Sequence, residues 1–200
     1  LSHGRVAEDG SYDELMAMGG LFSDCESLCE INVTRFDTSA CRNMHMMFGG
    51  CKALSNLDLT GFITSVCTDM SLMFYSCAGL ETLDLGSFDT SECRDMREMF
   101  NGCSNLAELN LGSFDTSSCT SMFRMFRDCK KLASLNLSSF RTTKVMNFSY
   151  MFSGCESLER LNLSGFSDRG LQSEFGAVDV LDDCVNLMYL NTPVVSSAFF

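Results

Sequence analysis

Met73-Phe74-Tyr75-Ser76-Cys77-Ala78-Gly79-Leu80-Glu81-Thr82-Leu83-Asp84-Leu85 is the stretch from which the rest of the 200-residue chain is read. Its Met-Phe-x-x-Cys phrase recurs at Met47-Phe48…Cys51, Met99-Phe100…Cys103, Met125-Phe126…Cys129 and Met151-Phe152…Cys155, each Phe 26 residues from the next. Leu21-Phe22…Cys25 continues the register upstream, and Leu181…Cys184 ends it after three inserted residues. A strict period of this length marks a solenoid, in which each repeat is one coil that buries its apolar face on its neighbours.

Each coil divides into three parts. The first is a short strand such as Leu57-Asp58-Leu59 or Leu135-Asn136-Leu137, whose alternation turns the leucines inward and the Asp or Asn outward. Stacked copies form a parallel sheet with roughly 4.8 Å between strands. The second is a turn such as Gly86 to Ser91, in which the Phe36, Phe62, Phe88, Phe114, Phe140 and Phe166 column plugs the core and the following Asp, Thr and Ser can cap a helix. The third is read as a helix, for example Ser91 to Phe100: Cys93, Met96, Met99, Phe100 and Cys103 fall on one helical face. Gly50, Gly102 and Gly154 stand where such a helix takes a left-handed stop. The expected fold is therefore an α/β solenoid of leucine-rich-repeat type with about six coils, a short parallel sheet on one face and short helices on the other.

Residues 1–12 carry no pattern. The solenoid domain runs over 13–191 with no internal linker, and its first half-coil, with Leu15 and Met18 in register with Cys41 and Met44, acts as a cap. Residues 192–200 form a tail or partial cap. The stretch from Ser167 to Gly176 loses the Met-x-x-Met-Phe spacing and is read as a coil with a longer loop.

The net charge of −12 argues against nucleic acid, whose binding depends on cationic contacts to phosphate, and against anionic membrane surfaces. No apolar run approaches a membrane-spanning helix. Starting at Leu1 without the regions of a signal peptide, the chain reads as a mature or trimmed fragment. Its charge is uneven: eight of the 14 basic residues fall between 94 and 144, and eight of the 26 acids precede residue 40. The ordinary explanation is a solvated mixed-charge surface; a basic patch for an acidic partner or glycan is the alternative.

Eleven of the 12 cysteines fall into two columns. One is Cys25, Cys51, Cys77, Cys103, Cys129, Cys155 and Cys184. The other is Cys41, Cys67, Cys93 and Cys119, with Val145 in the fifth place, which marks it as an apolar column where free Cys behaves as a small hydrophobe. On the helical reading Cys41 and Cys51 lie about 15 Å apart along the axis, too far for a disulfide, and neighbouring helices keep the Cys41 column unbridged. Bridges along the Cys51 column are conceivable, but a reduced structural ladder is expected. Cys29 stands outside both columns, as an exposed thiol.

Catalytic chemistry finds little support. Cys41 and His45 have a helical ligand spacing, yet a closed metal site needs four ligands and His45 is in register with Ser71 and Arg97, read as exposed. Neither His45 nor His3 is placed beside a nucleophile by any pattern. Asp58 and Asp84 could stand near the separation of a retaining glycosidase pair, but their column continues as Asn110, Asn136 and Asn162, a polar ladder. No cofactor motif is present. The expected binding surface is the outward sheet face: Asp58, Asp84, Asn110, Asn136 and Asn162 in the middle, Thr82, Glu108 and Arg160 in the flanking column. The sequons at Asn32, Asn136, Asn147 and Asn162 arise mostly from the repeat itself and imply no glycosylation unless the source is eukaryotic.

The repeat Phe-Asp-Thr-Ser-x-Cys-x-x-Met-x-x-Met-Phe-x-x-Cys-x-x-Leu-x-x-Leu-Asp/Asn-Leu, carried over about residues 13–191, resembles that of BspA-like leucine-rich repeat surface proteins. Val145, Phe148 and the irregular last coil depart from it. The resemblance implies a secreted or cell-surface adhesion module, not an enzyme, that binds a host or neighbouring-cell protein or glycan. A spacer or scaffold displaying another domain is the competing function.

Overall fold

The computed structural model describes residues 17–171 and 174–193; the expectations for residues 1–12, for Leu15 and for the tail after Pro193 lie outside them. The described chain is a stack of coils joined by parallel ladders. Three-residue strands lie at Thr82–Asp84 (β1), Glu108–Asn110 (β2), Ser134–Asn136 (β3), Arg160–Asn162 (β4) and Tyr189–Asn191 (β5). β1 pairs with β2, and β3, β4 and β5 pair in that order, all parallel. The middle leucines of β1 to β4 point inward, Leu83, Leu135 and Leu161 buried and Leu109 half-buried, whereas Leu190 of β5, in the last described coil, is exposed.

The expected helices are absent: no α-helix occurs among the described residues, only a one-turn 3-10 helix at Glu174–Ala177. The segment from Met44 to Cys51 shows why. In an α-helix each N–H returns to its own strand of chain four residues back. Here alternate N–H groups leave the coil: those of Met44, Met46, Phe48 and Gly50 donate to the carbonyls of Asp69, Ser71, Met73 and Tyr75 in the next coil, at 2.7 to 3.0 Å. The residues between close β-turns, Met47 N–H to Met44 O, Gly49 to Met46 and Cys51 to Phe48. Met46 (φ 54°) and Gly50 (φ 80°) are left-handed, and this recurs at Leu72 and Ser76, Glu98 and Gly102, Arg124 and Asp128, Tyr150 and Gly154. The predicted left-handed glycines are there, but they end turns. Spacing also forbids a helix: Phe48, Phe74, Phe100, Phe126 and Phe152 stack with ring centroids 5.5 to 5.9 Å apart, whereas helices need 8–10 Å between axes.

Parallel bridges along Ala17, Asn43, Asp69, Asp95, Ser121 and Asn147 run through the stack without a break. The strand ladder, by contrast, is divided between β2 and β3. The three-residue insertion near the end is absorbed beside the 3-10 turn, so that Tyr150, Phe152 and Gly154 still donate to Val178, Val180 and Asp182.

Polar columns turn the corners. Asp37, Asp89 and Asp115 accept the N–H of Ser39, Ser91 and Ser117. Asn43, Asp69, Asp95 and Asn147 accept from the residue two further on, at 2.8 to 3.0 Å. These are Asx turns, the local bonding that Asp and Asn favour over helix. The Thr of the Phe-Asp-Thr-Ser phrase caps nothing within its coil. Thr38, Thr64, Thr90, Thr116 and Thr142 are buried, and each hydroxyl both donates to the carbonyl and accepts from the N–H of one residue in the next coil.

The cysteines are all free thiols. Cys51, Cys77, Cys103, Cys129 and Cys155 each donate to the carbonyl of a Phe in the preceding coil, at 3.0 to 3.2 Å. Cys41, Cys67, Cys93 and Cys119 bond to the carbonyl two residues on. The helical rise that separated Cys41 from Cys51 does not exist. What keeps the two columns apart is their placement on different turns of the coil. Val145 fills its place fully buried, and the neighbouring Phe148 packs against Phe166.

Three outcomes are expected. Thr90→Val keeps the shape but strands the N–H and C=O of Asp115, so the variant loses about 1–3 kcal/mol in urea denaturation, with no such loss for Thr60→Val on the exposed face. Burial also pushes the thiols of Cys67, Cys103 and Cys119 up to about 12 and raises those of Cys93 and Cys129, from an ordinary 9.0. The folded chain then holds protons that the unfolded chain releases. Stability is full below pH 9 and falls above it, by about 1 kcal/mol for each of Cys67, Cys103 and Cys119 between pH 9 and pH 10. Denaturation under reductant across that range checks it. A native thiol assay below pH 9 should find Cys25 and Cys29, the two exposed cysteines, reacting first.

Candidate functional site

The strand face is built by alternation, and the structure places the expected residues along it. Thr82 and Asp84 on β1, Glu108 and Asn110 on β2, Ser134 and Asn136 on β3, and Arg160 on β4 are exposed; Asn162 is half-buried. Asp58 is exposed in a coil that has no strand at this point, only the Glu30 to Asn56 bridge.

The middle column serves the backbone first. Asp58 Oδ1 accepts the N–H and hydroxyl of Thr60, at 3.0 and 2.7 Å. Asp84, Asn110, Asn136 and Asn162 accept the N–H of Gly86, Gly112, Ser138 and Ser164. Asn110 Nδ2 also donates to Asp84 Oδ1 at 2.7 Å. A third set of Asx turns therefore occupies the column first in line for a ligand. The hydrogen bonds from Thr60 hold the Asp58 carboxyl below the ordinary carboxylate range. A retaining glycosidase needs one carboxyl with a raised pKa as its acid, the opposite of what Asp58 experiences.

The flanking column is freer and carries an anchor that the alternation argument undervalued. The Arg160 guanidinium lies over the Tyr189 ring, 4.8 Å from its centroid. The two meet because β4 and β5 pair Arg160 with Tyr189 in register. Three shallow grooves lie along this face. One, of about 460 Å³, is lined by Glu30, Asn32, Thr34, Asn56 and Asp58; another, of about 490 Å³, by Thr82, Asp84, Glu108 and Asn110. The third, of about 270 Å³, is lined by Ser134, Asn136, Arg160, Asn162 and Tyr189.

Outside this face, His45 is half-buried with Nδ1 2.8 Å from Ser71 Oγ, and Ser71 is fully buried, not exposed as the helical register implied. Cys41 bonds to the Asn43 carbonyl and takes no part in that contact. Among the described residues no three His, Cys, Asp or Glu side chains gather as metal ligands, and no helix is long and apolar enough to cross a membrane. Cys29 is exposed, its thiol 3.5 Å from the Ser27 carbonyl. Cys25, the first member of the Cys51 column, is exposed as well.

The chain is similar to a leucine-rich repeat protein of T. pallidum, with 20% identity over 86% of this chain and 70% of the other and a TM-score of 0.48. It is also similar to a leucine-rich cell surface protein from Faecalibacterium prausnitzii A2-165, with 12% identity over 90% and 77% of the two chains and a TM-score of 0.30. No curated protein matches it. A family model matches residues 11–83 and 68–173, nearly the whole repeat array, and the chain belongs to that family, described as Mycoplasma protein of unknown function, DUF285.

Proposed function

We propose that this chain is a non-catalytic recognition module, a single solenoid domain over 13–191 of a secreted or cell-surface adhesin, that binds a host or neighbouring-cell protein or glycan on its strand face. The observation that carries the reading is the flanking column, a row of exposed Thr82, Glu108, Ser134, Arg160 and Tyr189 above two grooves, in register within each of the two sheets. A platform of small polar groups with one stiffened Arg–Tyr pair suits a polar ligand that meets several coils at once. The resemblance of the repeat to BspA-like surface proteins supports the same setting. The buried cysteines, held as hydrogen-bonded neutral thiols, serve as packing.

The test is a binding screen against extracellular-matrix proteins and a glycan array. It runs the chain beside a Glu108→Arg/Arg160→Glu variant. These positions are preferable to Asp84 and Asn110, whose replacement would break turns as well as contacts. Saturable binding that weakens at least tenfold in the variant, with unchanged thermal unfolding, is the expected result. Binding by neither protein would make the coils a spacer or scaffold for another domain, and equal binding by both would take the site off the strand face.

A further inference from the structure

The turn ladder, read from the sequence as helical, carries a second surface. Five coils place Met46, Leu72, Glu98, Arg124 and Tyr150 at one position, with φ between 54° and 58°. Gly20 holds the same position in the first described coil at φ 67°, and glycine is the residue that suits this conformation. Large side chains persist there at a conformational cost, and non-glycine residues held in such conformations cluster at functional sites. Their side chains are half-buried on the outside of the stack.

The centre of this surface is Arg124. Its guanidinium lies 4.6 Å from the centroid of the Phe123 ring and 5.2 Å from that of Tyr150, and the two rings meet edge to face. No carboxylate pairs with Arg124 among the described residues, and neighbouring Arg127 reaches only Asp128, at 3.5 Å. Arg124 Nε is buried without a hydrogen-bond partner, and Arg127 Nε makes only that ion-pair contact with Asp128, with no hydrogen bond. A stiffened, unneutralised guanidinium between aromatic rings, on a chain of net charge −12, is an unmet cation. Arg, Tyr, Phe and Met are also the residues enriched at the centres of protein interfaces, and guanidinium matches a carboxylate with two parallel hydrogen bonds.

We propose that the Phe123–Arg124–Tyr150 cluster docks an acidic segment of a protein partner, a carboxylate meeting Arg124 and an adjacent apolar side chain covering the rings. This surface is separate from the strand face and does not depend on the reading given to it.

The probe is a random peptide library displayed on phage and panned on the whole chain. Selected peptides should carry Asp or Glu beside an aromatic or aliphatic residue and weaken with salt. They should bind Arg124→Glu at least tenfold less tightly and Arg160→Glu equally well. Arg124→Gly separates binding from folding: it relieves the left-handed backbone, so it should unfold at or above the parent temperature while losing the same affinity. No enrichment, selected peptides without acids, or peptides indifferent to Arg124→Glu would overturn the proposal. So would stronger retention on a heparin column that depends on Arg124, which would assign the site to sulfated glycans. Failure of this test leaves the strand-face screen unaffected.

Discussion

The structure depends on one constraint: every coil must hydrogen-bond to the next at the spacing of a β-ladder. The uninterrupted part of that ladder runs along the turns, from Ala17 to Asn147, not along the strands. Once alternate N–H groups of a turn segment are committed to the neighbouring coil, the remaining groups must be satisfied within three residues. Tight turns with left-handed residues do this. A helix would need all of its donors for itself.

The same constraint explains the columns. A side chain that recurs every 26 residues sits directly above its copy, so it must tolerate its own kind as a neighbour. Phenylalanines stack nearly parallel, with interplanar angles of 2° to 8° between Phe48 and Phe152. Buried threonines hand one hydrogen bond in each direction to the next backbone. Buried thiols stay neutral because burial penalises the thiolate, and those of the Cys51 column reach carbonyls of the coil before. The ion pairs of Lys52 with Glu26 and Lys130 with Glu156 lie at the exposed surface.

Much of this was legible in the sequence. The period, the inward leucines, the Phe plugs and the outward Asp/Asn column all follow from spacing. The helices did not, because Cys93, Met96, Met99, Phe100 and Cys103 satisfy a helical face and a run of inward-pointing turns equally well. Periodicity reports which residues face inward, not where the N–H groups go. Two signals pointed the other way. Asp69-Met70-Ser71 and Asn147-Phe148-Ser149 have the form of Asx turns, and the Gly50 column is filled elsewhere by Asp24 and Asp128, residue types that tolerate positive φ. The candidate face was legible as a face, but its middle column proved to be turn chemistry. The Arg124 cluster was hidden because a helical register does not bring Phe123, Arg124 and Tyr150 to one place.

Because each coil leans only on its two neighbours, the stack has no long-range tie that would make it yield all at once. Under tension between its ends, coils would peel away singly from an exposed edge, each break severing a set of ladder bonds, a threonine bridge and the aromatic stacking between two coils. A released 26-residue coil would pay out roughly 90 Å of chain. The reach of the array under load would thus grow with the number of coils released.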